Sequence, residues 1–151
     1  MTALLISAIA FTIGLAYTWS RWGVQKSISI TFYEHENALL WYVWFLCFAL
    51  PILTLVDHFL LFLAIGSIAF VGAAPDFKST KIQEAVHIGG AYAGIILAFA
   101  YLVVKGEYLT PAIMVIFTVY ATLKLNNKTT WIEVAAFYLT LIGLAIIQCT
   151  L

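Results

Sequence analysis

Gly72-Ala-Ala-Pro-Asp-Phe-Lys-Ser-Thr-Lys-Ile-Gln-Glu-Ala-Val-His-Ile-Gly-Gly-Ala-Tyr-Ala-Gly94 is the stretch that orders the rest of the chain. An apolar run ends at Pro75, a short polar loop carries Asp76, Lys78 and Lys81, and a new helix begins. Thr80-Lys-Ile-Gln83 has capping-box spacing and predicts that start. The new helix carries Glu84 and His87 into an apolar run with glycines on it. A charged loop between two apolar runs is the pattern of a chain that leaves a bilayer and re-enters it.

The composition agrees. Of 151 residues, 64% are hydrophobic and 9% charged, and the mean hydropathy is +1.05. A soluble domain is about a quarter charged, so the solvent for most of this surface is lipid. The net charge of +0 supplies no basic field for nucleic acid, which is excluded as a partner. Cys47 and Cys149 lie in apolar runs and read as small apolar residues. The N-terminal run has no basic segment ahead of it and reads as a retained span.

Working outward, the fold class is all-α: a polytopic transmembrane bundle of six helices in a single domain, 1–151. The spans are expected at about 3–20, 37–54, 57–74, 80–104, 110–125 and 130–150, with Gly23 and Gly106 at helix ends. Residues 38–74 exceed the roughly 20 residues of one crossing, so a break is expected between Pro51 and Asp57. Asn37 and Asp57 are predicted N-caps of the second and third helices. Thr110 is a predicted cap with Pro111 at the first helical position. Thr130-Trp-Ile-Glu133 is a second capping-box pattern. The fifth helix is short, so five full crossings is the alternative count.

Arg21, Lys26, Lys78, Lys81, Lys124 and Lys128 fall in loops at one end, and Lys105 falls at the other. Basic loops stay cytoplasmic, so both termini are expected outside the cytoplasm, in a bacterial inner membrane. Trp19, Trp22, Trp41, Trp44 and Trp131 lie toward the basic end and read as an interfacial belt.

His87 lies one turn past Gln83 and Glu84, and Gly90 and Gly94 continue its face. The glycine pair predicts close approach of a neighbouring helix. Ser27-Ile-Ser-Ile-Thr-Phe-Tyr33 alternates with period two and predicts an extended segment at the interface. Glu34-His35-Glu36 offers cation ligands, although adjacent side chains seldom point together. The expected site is a polar pocket at the cytoplasmic end. His87 is its central hydrogen-bonding group, with Asp76, Glu84, Ser29 and Tyr33 around it. It would bind a lipid, a small ligand or a partner subunit, with no cofactor. A homo-oligomer is compatible with the small-residue faces. No phosphate-cradling glycine loop, H-E-x-x-H, C-x-x-C or G-x-S-x-G is present in the sequence.

Ser27–Tyr33, together with Val71-Gly-Ala-Ala-Pro-Asp-Phe-Lys78 and Val86-His87, resembles a group of small uncharacterised integral membrane proteins of Bacteroides-like bacteria and their phages. The resemblance covers roughly residues 25–95 and implies no activity. A weaker likeness is to the alkaline ceramidase and adiponectin-receptor superfamily of membrane hydrolases. It implies seven spans and a metal site near the cytoplasmic face, built from histidines with a serine and an aspartate. Ser29, Asp76 and His87 would be the matching residues, with His87 and Asp76 on the metal. This chain has fewer spans and lacks that family's late H-x-x-x-H pair. A zinc-dependent lipid hydrolase is therefore the alternative function, and a small channel or transporter is the third.

Overall fold

A computed structural model describes residues 1–34, 38–73, 76 and 78–150. His35, Glu36, the expected Asn37 cap and Pro75 lie outside the described residues. The described chain is all-α and has no strands. Its helices are α1 (Thr2–Trp22), α2 (Ala38–Leu53), α3 (Phe59–Ala73), α4 (Lys81–Val104), α5 (Leu109–Lys124) and α6 (Lys128–Thr150). A 3-10 turn, Ser29–Tyr33, lies between α1 and α2.

Helices α1, α4 and α6 are long and apolar enough to cross a membrane. Helices α2, α3 and α5 are apolar but have 15 or 16 residues. At 1.5 Å per residue they reach about 22–24 Å, short of a hydrocarbon core of about 30 Å. The side chains on the outer faces suit lipid: Ile82 is 77% exposed, Leu123 72% and Ile116 70%. Exposed apolar surface of that extent marks contact with a membrane or with another protein.

The ends of the bundle are tied by polar contacts. At one end the Met1 ammonium donates to Gln148 Oε1 at 2.9 Å, so both termini lie together. At that same end Lys105 Nζ meets Asp57 Oδ2 at 2.6 Å. Leu4, Leu61, Leu102 and Ile147 join these two ties in one buried cluster. At the opposite, basic end, Asn127 Nδ2 donates to Val24 O at 2.8 Å, and Lys78 N–H donates to Tyr33 Oη at 2.7 Å.

The close helix approach expected at Gly90 and Gly94 is present, and the neighbour is α3. A Cβ on Gly90 would stand 2.7 Å from Ser67 O, and one on Gly94 would stand 2.6 Å from Ile68 Cδ1. Gly23 and Gly106 adopt φ of 71° and 84° at the ends of α1 and α4, where left-handed backbone suits glycine. Thr80 Oγ1 accepts from Gln83 N–H at 3.2 Å, as the capping pattern predicts.

One local expectation is met and three are corrected. First, the break expected between Pro51 and Asp57 falls over residues 54–58, with Pro51 still inside α2. Second, His58 Nδ1, rather than the Asp57 carboxylate, accepts from the first turn of α3, at Leu60 N–H. Asp57 is taken by Lys105 and by Tyr101 Oη at 2.8 Å. Third, Glu107 caps α5 in place of Thr110. Its Oε1 accepts from Leu109 N–H at 2.9 Å and Thr110 N–H at 3.1 Å. The positive φ at Gly106 turns Glu107 beneath the helix, where a carboxylate suits the positive helix end. Fourth, Ser27–Tyr33 is turned rather than extended. Thr31 N–H and Thr31 Oγ1 both return to Ile28 O, and Ser27 Oγ accepts from Ile30 N–H. Serine and threonine back-bonding of this kind favours turns over extended chain.

Candidate functional site

Between α1, α2, α3, α4 and α6 lies a cavity of about 170 Å³. Its wall is aromatic and aliphatic because four helices turn bulky side chains toward one axis. Phe11 of α1 stacks on Phe137 of α6 at 4.0 Å between ring centroids, with Phe48 of α2 edge-on to both. Trp41 stacks on Phe45 at 5.5 Å. Gly94 and Ala98 of α4 face the space, and their small size leaves it open. Helix α6 contributes Glu133, Ala136, Phe137 and Thr140. The spacing i, i+3, i+4, i+7 is one helical face.

The basic end of the cavity is closed by the chain that follows α1. Three α5–α6 positions spaced by three residues hold its backbone. Asn127 Nδ2 donates to Val24 O, Thr130 Oγ1 donates to Gln25 O, and Glu133 Oε2 accepts from Ile28 N–H at 2.6 Å. Thr130 and Glu133 are thus not a capping pair, which corrects the reading of that motif. Asn127 reaches its partner from φ 53°, a left-handed conformation that asparagine tolerates. Ile28 and Ser29, held in this way, form part of the cavity wall beside Glu133.

Glu133 is the charged residue of the wall. Among the described residues, Ile28 N–H is the one donor to its carboxylate, and Oε1 takes no hydrogen bond. No lysine or arginine pairs with it, since the ion pair among the described residues is Lys105–Asp57. A second hollow of about 460 Å³ lies on the outer flank of α1 and α2, beside Gly14, Leu40 and Cys47. It is the larger of the two, but no charged residue lines it.

The five residues singled out from sequence fall in different surroundings. Ser29 lines the cavity. Tyr33 and Asp76 are neighbours in the loops at the basic end, where the Lys78 ammonium lies 4.4 Å from the Tyr33 ring centre. Desolvation, and then the Asp76 carboxylate, push the Tyr33 phenol above its ordinary value, while the Lys78 N–H opposes them. His87 is buried on α4, whereas Glu84 and Asp76 are exposed. Among the described residues no group of three or more His, Cys, Asp or Glu side chains is placed to hold a metal ion.

Glu133 and the aromatic wall were not singled out by sequence reasoning. Trp41 and Trp44 belong to the interior, which corrects the belt reading for these two. Trp41 is 2% exposed, and Trp44 Nε1 donates to Ala10 O at 3.1 Å. A signal for Glu133 existed: a carboxylate five residues inside an apolar helix, in phase with Asn127 and Thr130.

The chain matches no protein-family model, no curated protein and no solved structure. The fold and site define its class: an all-α bundle around an apolar cavity, with three helices long and apolar enough to cross a membrane.

Proposed function

We propose that this is an integral membrane protein that binds a membrane-resident molecule with a hydrocarbon body in its central cavity. The observation that carries the reading is the cavity itself: aromatic and aliphatic walls, with Glu133 and Ser29 at one end. Ligand sites are concave, mostly apolar, and carry a few polar groups that fix orientation. A void of about 170 Å³ is several times the roughly 30 Å³ share of one liquid water, and apolar voids stay dry. A hydrocarbon chain suits it better than water does.

The orientation follows from the loop charges. Six of the seven basic residues stand at the end where Glu133 lies, so that end faces the cytoplasm and both termini face away from it. The membrane is the bacterial inner membrane, in keeping with the resemblance at residues 25–95.

Trp41 and Trp44 serve as reporters, because both line the cavity. Trp19→Phe, Trp22→Phe and Trp131→Phe together leave them as the fluorophores. Bromododecanol, a chain-bearing quencher, is expected to quench them saturably in nanodiscs. Ala136→Phe fills the cavity and is expected to abolish the saturable phase while circular dichroism stays helical. Equal, unsaturable quenching in both proteins would refute the reading.

A further inference from the structure

We propose that the molecule taken by this cavity is a lipophilic cation: a hydrocarbon chain ending in an ammonium group that meets Glu133. The inference rests on the cavity-binding reading and adds the charge of the ligand. A carboxylate placed in apolar surroundings is costly unless an opposite charge or several donors meet it. Among the described residues, Glu133 receives one backbone N–H, from Ile28. Among the described residues no cationic side chain lies against it; the lysines and arginine of that end are in loops and helix ends facing outward, and the ion pair among the described residues is at the other end. The remaining oxygen, Oε1, takes no hydrogen bond among the described residues. The pocket is therefore complete in hydrocarbon contacts and incomplete in positive charge.

The walls fit the same occupant. Trp41, Trp44, Phe45 and Phe137 line the cavity with Glu133, and ring faces attract alkylammonium groups, most strongly where water is excluded. An anionic head would meet the Glu133 charge with no base to offset it. A neutral alcohol would keep the hydrocarbon contacts and lose the charge pairing. Charge complementarity thus singles out the cation.

The experiment compares two quenchers with one chain length, bromododecyl trimethylammonium and bromododecanol, on the Trp41/Trp44 reporter protein in neutral-lipid nanodiscs. The cation is expected to bind about tenfold or more tightly than the alcohol. Glu133→Gln keeps an acceptor for Ile28 N–H and removes the charge. It is expected to lose that preference, so that the two probes bind with similar affinity. Glu133→Asp keeps the charge and is expected to retain a preference for the cation, which separates charge from fold. Saturable binding of both probes with equal affinity, unchanged in Glu133→Gln, would overturn the cation assignment and leave the cavity reading standing. Absence of saturable binding by either probe would overturn both.

Discussion

Gly90→Ala tests how tightly the bundle is built. A Cβ at position 90 would lie 2.7 Å from Ser67 O, 3.3 Å from Phe70 Cβ and 3.4 Å from Val71 Cγ2. The nearest atom is backbone, so no rotamer change relieves the contact, and α3 and α4 must separate by about half an ångström. A radial gap of that size forfeits about a quarter of the dispersion energy along the contact. Overpacking of this kind costs about 1–3 kcal/mol. Replacing glycine by alanine inside a helix returns about 0.5–1 kcal/mol, which blurs a comparison with the wild type. Gly89 supplies the control. It is the preceding residue in the same helix, and a Cβ there meets nothing within 4 Å. The propensity gain is common to both variants, so Gly90→Ala should be less stable than Gly89→Ala by about 1–3 kcal/mol. Detergent-induced unfolding in mixed micelles, followed by circular dichroism, measures the difference. Gly94→Ala should fall between them, since its nearest neighbour is the flexible end of Ile68. Equal midpoints for Gly89→Ala and Gly90→Ala would refute the claim that backbone contact at Gly90 sets the α3–α4 spacing.

Two further outcomes are expected. Lys105 above all, helped by the Tyr101 hydroxyl and opposed by desolvation, holds the Asp57 carboxyl below its ordinary 3.8. A depressed carboxyl stabilises the fold above its unfolded pKa and loses that contribution as pH falls through the folded one. The stability gap between wild type and Asp57→Asn should therefore be present at neutral pH and close in acid. It should be small, about 0.2–1 kcal/mol, because the Asp57 side chain is 44% exposed. A gap that widened in acid would contradict this assignment. Single cysteines at Ser79 and Tyr108, in a background with Cys47→Ala and Cys149→Ala, should label from opposite sides of the membrane. Tyr108 is the better outer position than Glu107, whose carboxylate caps α5. Labelling of both positions from one side would defeat the six-helix topology.

Much of the architecture was legible without coordinates because it depends on local signals and on the solvent. Apolar runs bounded by Gly23, by Thr80 with Gln83, and by Gly106 locate helices within two residues, since each boundary answers to the backbone of its own segment. Gly90 and Gly94 announced a close neighbour in the same way. The local motifs misled where a partner far along the chain outbid the near one. Thr130 and Glu133 have the spacing of a capping box, yet their partners are Gln25 and Ile28, more than 100 residues away in sequence. Asp57 could cap α3, but Lys105 is a stronger partner for a carboxylate than a backbone N–H.

Composition and periodicity by themselves determined that this chain is helical, that its helices are apolar enough to suit a bilayer, and roughly where each helix begins and ends. A bilayer leaves a chain no choice but to satisfy its backbone within each segment, so those properties follow from the residues alone. The tertiary structure alone decided which helix faces which, that Trp41 and Trp44 turn inward, and that Glu133 stands at the end of an apolar cavity. Every span here is apolar on nearly all sides, so hydrophobicity distinguishes no inner face. Packing shape makes that choice instead: Gly90 and Gly94 of α4 receive Ser67, Ile68 and Val71 of α3, and Gly72 of α3 receives the Phe45 ring of α2.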